Sequence, residues 1–141
     1  QIRLISKSTN SAYGGGDGDW LGMRFNSDSG NNYARHYIQG NGANVFAGAN
    51  STYSRCIIER GANANSSGFG AIVVDILDYT STTKNKTVRS IGGLDNNGGG
   101  QMYINSSLWY ATPAAITQID ITPELGNFAQ YSQFALYGIK G

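Results

Sequence analysis

The feature that most constrains this chain is a succession of short β-prone segments separated by turns rich in Gly, Asn and Asp. No window of about 11 residues keeps apolar residues at helical spacing without a Gly or a β-branched cluster interrupting it. The pattern predicts an all-β fold, a jelly-roll-like antiparallel β-sandwich of eight or nine strands. The predicted strands are 2–6, 20–26, 32–39, 55–60, 70–79, 86–92, 101–105, 115–122 and 133–140.

The segment 70–79 differs from the other predicted strands because it is apolar on both faces. Ile72 and Val74 alternate on one side, while Val73 and Leu77 fall on the other. A strand that is buried on both faces reads as a continuous apolar run. We therefore expect this strand to be central in its sheet or to lie at a subunit interface.

The chain has 141 residues, which fits a single domain over 1–141. Gln1 stands in the first position and the following residues already read as a strand, so we expect a fragment or a processed part of a longer chain. Cys56 is the sole cysteine, which excludes an internal disulfide. It is predicted to be a small buried hydrophobe, and oligomerisation is one route by which such a domain gains stability.

Few charges are present in this sequence. Charged residues make up 13%, against about 25% in an ordinary soluble domain, and the net charge is +1. Such a surface suits a structural or adhesive protein outside the cell, or a low-charge module within a larger assembly. The only dense basic cluster is Lys84, Lys86 and Arg89, so we expect no nucleic-acid partner, and the short apolar runs predict no membrane insertion.

Acidic residues in the Gly-rich turns are the only candidates for a metal site. Asp17 and Asp19, with Asp28 nearby, could supply oxygen ligands to Ca²⁺. Their spacing matches no EF-hand loop, and Asp-Gly pairs are ordinary turn formers, so a plain loop is the favoured interpretation. We expect no metal and no cofactor.

Catalytic patterns are not apparent. The chain has nine acidic residues, and Asp75 and Asp78 fall on opposite faces of a strand, which makes a poor hydrolytic pair. His36, the single histidine, has no nucleophile elbow to accompany it. The prediction is that the chain is not an enzyme.

Aromatic residues are the best candidates for ligand contact. The chain has nine Tyr and two Trp, several of them in or beside predicted turns. Their rings can stack on sugars, or they can cover the core and pack between subunits. The candidate loops are 13–20, 41–53 and 95–103. The candidate ligand-binding residues are Tyr13, Trp20, Tyr53, Tyr103, Trp109 and Tyr110.

Two stretches resemble a recurrent domain of tailed-bacteriophage virion proteins, found at the C-terminal end of tail-fibre, tail-tip or head-associated chains. The first, 21–33, reads LGMRFNSDSGNNY: a strand ending in Arg-Phe-Asn, an Asp/Gly turn, and Asn-Tyr opening the next strand. The second closes the chain with AAITQIDI at 114–121, GNF at 126–128 and SQFALYGI at 132–139. The middle segment 71–79 fits the same layout.

The resemblance implies a β-sandwich on the surface of a virion that assembles as a homotrimer, and it carries over no catalytic residues. On this basis we expect a phage adhesin that meets a bacterial surface glycan or protein, with other virion proteins as partners. The alternative is a capsid decoration protein that clamps neighbouring shell subunits. A glycan-degrading enzyme is a third class, which would require an acidic cleft.

Overall fold

The computed structural model describes residues 1–12 and 18–139. Ten strands are found in this part of the chain. They are β1 (Ile2–Ser6), β2 (Asp19–Phe25), β3 (Tyr33–Gly40), β4 (Val45–Tyr53), β5 (Cys56–Gly61), β6 (Gly70–Ile76), β7 (Lys86–Asp95), β8 (Gly100–Trp109), β9 (Ile119–Pro123) and β10 (Gln133–Leu136). Within the described residues no helix is long and apolar enough to cross a membrane.

The strands form two antiparallel sheets. A seven-stranded sheet has the order β10-β1-β6-β7-β8-β3-β4, and a three-stranded sheet has the order β5-β2-β9. The predicted all-β sandwich is confirmed, with ten strands instead of eight or nine. β6 lies inside the larger sheet, as the apolar run 70–79 predicted.

One prediction of local structure was wrong. The segment 45–53 was placed in a loop, but it forms β4, which pairs with β3 from Gly40 to Tyr33. β4 is an edge strand that is largely exposed on both faces, so its sequence lacks the alternation that a half-buried strand displays.

The core lies between the two sheets. Alternate residues of β1, such as Ile2 and Leu4, point inward from the larger sheet, and Leu21 and Met23 of β2 meet them from the smaller one. Cys56 is also buried here, as predicted, and burial raises the pKa of its thiol. Burying each large side chain of this kind stabilises the fold by about 1.5–3 kcal/mol.

Three polar side chains on the inner face of the larger sheet donate hydrogen bonds to β5. The Ile58 carbonyl accepts hydrogen bonds from Ser90 Oγ and from Asn105 Nδ2, the latter over 3.2 Å. Ser107 Oγ donates to the Ile57 carbonyl over 3.4 Å. β5 has one extra residue relative to β2 at this point, and the bulge frees its carbonyls from the ladder to bond across the sandwich. The smaller sheet is thereby fixed over β7 and β8.

The opposite face of the larger sheet, here called the outer face, is not covered by any described residue of the chain. Register aligns one side chain from each of five adjacent strands into a row across this face. The row is Val73, Ile91, Ile104, Ile38 and Ala47. Two shallow grooves lie on this face and share Val73 and Ile91.

The turn between β2 and β3 connects the two sheets. β2 and β3 belong to different sheets, so this segment is not a hairpin turn, and its left-handed residues are Asn26 (φ 51°) and Ser27 (φ 58°). Gly30 leaves room for the Asn32 side chain, since a Cβ at Gly30 would lie 2.7 Å from Asn32 Nδ2.

Candidate ligand-binding site

Three aromatic rings surround the guanidinium of Arg35. The Cζ atom lies 4.5 Å from the ring centroid of Tyr37, 4.8 Å from that of Trp20 and 5.2 Å from that of Tyr53. These distances place the cation against the negative π-faces, an interaction worth about 0.5 to 2 kcal/mol per contact. We call Arg35, Trp20, Tyr37 and Tyr53 the arginine–aromatic cluster.

Arg35 is buried, and part of its guanidinium has no hydrogen-bond partner within residues 1–12 and 18–139. The residue is 7% exposed, and neither Nε nor Nη1 has an acceptor there. A planar guanidinium carries five N–H donors and remains charged at physiological pH. The rings compensate part of the lost hydration, and Nε and Nη1 are buried beneath them.

The strand geometry explains how the cluster forms. Arg35 and Tyr37 are two residues apart on β3, so both point to the inner face. Tyr53 pairs with Tyr33 across the β3–β4 ladder, while Arg35 pairs with Asn50. A step of two residues on β3, from Tyr33 to Arg35, therefore spans a step of three residues on β4, from Tyr53 to Asn50, which is a β-bulge. Without the extra residue Tyr53 would point to the opposite face of the sheet.

Gly48 makes room for Tyr37. It is the cross-strand partner of Tyr37, and a Cβ on Gly48 would lie 2.8 Å from Cε1 and 2.9 Å from the hydroxyl of that ring. The ring therefore lies directly over the glycine backbone. This close approach holds Tyr37 beside Arg35.

Trp20 is held from two further sides. Tyr103 packs edge-on against it, with ring centroids 5.5 Å apart and an interplanar angle of 72°. Arg60, its cross-strand partner on β5, lies with Cζ 4.3 Å from the Trp20 centroid. The indole thus connects the smaller sheet to the β3–β4 end of the larger one.

Of the six aromatic residues predicted from the sequence, the structure brings Trp20 and Tyr53 together. Tyr103 backs the cluster, but its side chain is fully buried. Tyr13 lies outside the described residues. Arg35 and Tyr37 were not predicted as site residues, although the Tyr33-x-Arg35-x-Tyr37 spacing places them on one face of a strand.

Trp109 and Tyr110 lie apart from the cluster. Trp109 is 5% exposed and packs in the core against Phe25 and Tyr33, with centroids 5.5 and 6.4 Å away. The Tyr110 hydroxyl lies 2.6 Å from the carbonyl oxygens of both Asn31 and Ser51. The alternative interpretation of the aromatics, that they cover the core, describes Trp109 and also Tyr103.

Parts of the three predicted loops lie at one end of the sandwich. Gly40 pairs with both Met102 and Val45, so the turn 41–44 lies beside the start of β8. The turn 96–99 closes the β7–β8 hairpin at the same end. Gly18 also lies there, since a Cβ on it would be 2.9 Å from Leu94 Cδ2.

The acidic residues considered for Ca²⁺ are not brought together. Asp19 begins β2 and Asp28 follows its end, roughly 20 Å away along the strand. Burial raises the pKa of Asp19. Asp17 lies outside the described residues. Within residues 1–12 and 18–139 no three His, Cys, Asp or Glu side chains gather as a metal site would require.

The basic cluster is engaged within the chain. The buried Lys86 Nζ donates to the carbonyls of Ser81 and Lys84, each over 2.7 Å. Lys84 forms an ion pair with Asp78, and Arg89 forms one with Asp75 on the neighbouring strand. These contacts leave little free positive charge at this turn.

Comparison with known proteins adds no family to this geometry. No protein-family model matches the chain, and no curated protein and no solved structure matches it significantly. The resemblance to tailed-phage virion proteins therefore stays a prediction.

Proposed function

We propose that this chain is a non-enzymatic binding module on the surface of a tailed-phage virion, and that it contacts a bacterial surface glycan through the arginine–aromatic cluster. The observation that carries the proposal is the convergence of Trp20, Tyr37 and Tyr53 around Arg35. These residues lie at the edge of the larger sheet formed by β4, a strand that is largely exposed. Sugar-binding surfaces combine apolar ring faces with a small number of fixed polar groups.

Each element of the cluster has a part in this proposal. The half-buried rings of Trp20, Tyr37 and Tyr53 offer flat apolar area at low cost in side-chain entropy. Arg35 holds the three rings around one cation, and its Nε and Nη1 have no acceptor among the described residues. Phe46, 45% exposed and also on β4, extends the apolar area beside them. Assembly as a homotrimer would multiply weak single sites.

The test is adsorption of the labelled protein to candidate host cells before and after their surface polysaccharide is stripped. Saturable binding that disappears on stripping is the expected result. Trp20→Ala and Tyr53→Ala should each weaken binding by about tenfold or more. Tyr79→Ala is the matched control, since Tyr79 is 58% exposed in the turn between β6 and β7. Equal binding by all three variants would refute the site.

A capsid decoration protein is the second candidate, and the outer face of the larger sheet favours it. Ile91 and Ile104 are 45% and 51% exposed there, which is an apolar surface suited to lying against a shell. Under this alternative the labelled chain binds virions that lack it and ignores host cells. Ile104→Lys would then abolish binding, whereas Trp20→Ala would leave it unchanged.

A further inference from the structure

We infer that the outer face of the seven-stranded sheet is an interface between copies of this chain. The inference concerns a surface separate from the arginine–aromatic cluster and does not depend on glycan binding. It begins from β6, where Ile72 and Val74 are buried against the core while Ala71 and Val73 point to the outer face. The sequence of β6 is that of a strand covered on both sides. Within the described chain only one side is covered.

The apolar character of this face extends well beyond β6. Ile38, Ile91 and Ile104 stand in register on three adjacent strands and are 46%, 45% and 51% exposed. The next row of the face adds Ile5 on β1 and Met102 on β8. Monomeric soluble proteins seldom expose a contiguous apolar patch of more than a few hundred Å². A contiguous apolar surface of this kind marks an interaction site.

The size of the face matches what a stable association needs. Seven strands about 4.8 Å apart give a width of roughly 29 Å, and six residues rising about 3.3 Å each give a height of roughly 20 Å, or about 600 Å² in projection. Specific interfaces bury about 800 Å² of accessible surface per partner. A pleated surface has more accessible area than its projection, so this one face is large enough.

The shape and charge of the face select a second copy as its occupant. Its central row is aliphatic, and the adjacent row carries Asp75, Arg89 and His36. A second copy presents a shallow surface of the same kind, which can pack against it at the spacing of about 10 Å at which sheets stack. Its ion pair, Arg89 with Asp75, joins neighbouring strands, and Arg3 Nε is hydrogen-bonded to Gln1. The Arg89–Asp75 pair carries no net charge, so a second copy meets little repulsion there, whereas a strongly charged partner would find few opposite charges.

The test is the molar mass of the protein in solution. By sedimentation between about 1 and about 100 µM the wild-type chain should form a dimer through this face, and its Tm should rise with concentration. Ile91→Lys and Ile104→Lys should each yield a monomer with a wild-type circular dichroism spectrum and a Tm independent of concentration. Leu125→Lys is the control, because Leu125 is 42% exposed between β9 and β10, away from the outer face.

Two results would overturn the inference. A wild-type chain that stays monomeric at about 100 µM has no such interface. If, in addition, Ile104→Lys loses binding to virions that lack the chain, the outer face contacts the capsid shell and not a second copy. An oligomer that persists in both lysine variants uses another surface. Neither result bears on binding to cells through Trp20 and Tyr53, so the two proposals fail separately.

Discussion

Trp109 Nε1 donates a hydrogen bond to Asp28 Oδ2 over 2.7 Å, and this contact ties the turn after β2 to the last residue of β8. The same carboxylate accepts from Asn32 Nδ2 and from the backbone N–H of Gly30. Tyr33 joins the arrangement from the other side, since its hydroxyl donates to the Asp28 carbonyl and accepts from the Phe25 N–H. The Asp-turn-Tyr motif therefore specifies how the chain crosses between sheets.

Replacement of this carboxylate should destabilise the fold. In Asp28→Asn, an amide N–H₂ group replaces one of the two carboxylate oxygens, both of which accept hydrogen bonds in the wild type. At least one donor among Trp109, Asn32 and Gly30 therefore loses its acceptor. We expect the free energy of unfolding to fall by about 1–3 kcal/mol in urea titrations. Asp120→Asn should change it little, because among the described residues the Asp120 carboxylate accepts hydrogen bonds only from the nearby Gln118 side chain. Equal effects of the two substitutions would contradict this role.

The Asp28 carboxyl group should also make the stability of the fold sensitive to acid. Desolvation raises the pKa of Asp28, but the hydrogen bonds from Trp109, Asn32 and Gly30 outweigh it, and the pKa lies below its ordinary value of 3.8. A carboxyl group whose pKa is lower in the folded protein than in the unfolded chain stabilises the fold fully when the pH is above the unfolded-chain pKa. This stabilisation is lost as the pH falls through the pKa of the folded protein. Wild type should therefore lose more stability than Asp28→Asn between about pH 5 and about pH 2. Parallel pH profiles would exclude the contribution.

Arg35 should not be replaceable by lysine. The guanidinium lies within 5.2 Å of the ring centroids of Trp20, Tyr37 and Tyr53, whereas an ammonium is a compact, strongly hydrated charge whose burial costs more. Arg35→Lys should lower the free energy of unfolding by about 1–2 kcal/mol, measured by urea titration, and weaken cell adsorption. Arg89→Lys, on the outer face, provides the comparison and should leave adsorption unchanged.

Gly48→Ala should separate ligand binding from stability. The new Cβ would displace the Tyr37 ring, which can swing outward because it is only half-buried, so the loss of stability should stay below about 1 kcal/mol. Cell adsorption should fall, because Tyr37 leaves Arg35. Gly138→Ala serves as the control, since a Cβ there meets nothing within 4 Å. Unchanged adsorption in Gly48→Ala would remove Tyr37 from the proposed site.

Most of the fold followed from local patterns. β1 was predicted at its observed bounds, and the start of β7 was also correct. The predicted strand 115–122 begins only at Ile119, because the backbone N–H groups of Thr117 and Gln118 bond Asn26 Oδ1 instead of a neighbouring strand. No pattern within 115–118 reveals a partner about 90 residues away in sequence.

The site followed from the sequence only in part. Trp20 and Tyr53 were candidates because aromatics near turns often contact ligands. Sequence spacing could not separate them from Tyr103, whose position in an interior strand buries its ring. Arg35 escaped attention because a buried, unpaired arginine becomes evident only when strands from both sheets are placed around it.

The backbone ends of the described chain also meet. Gln1 and Tyr137 exchange two backbone hydrogen bonds of 2.8 Å beside the edge formed by β1 and β10. β4, which carries Tyr53, is the opposite edge of that sheet, six strand spacings or roughly 29 Å away. A label attached near Gln1 or Tyr137 would therefore lie at the β10 edge of the sheet. The arginine–aromatic cluster, at the β4 edge, would face away from it.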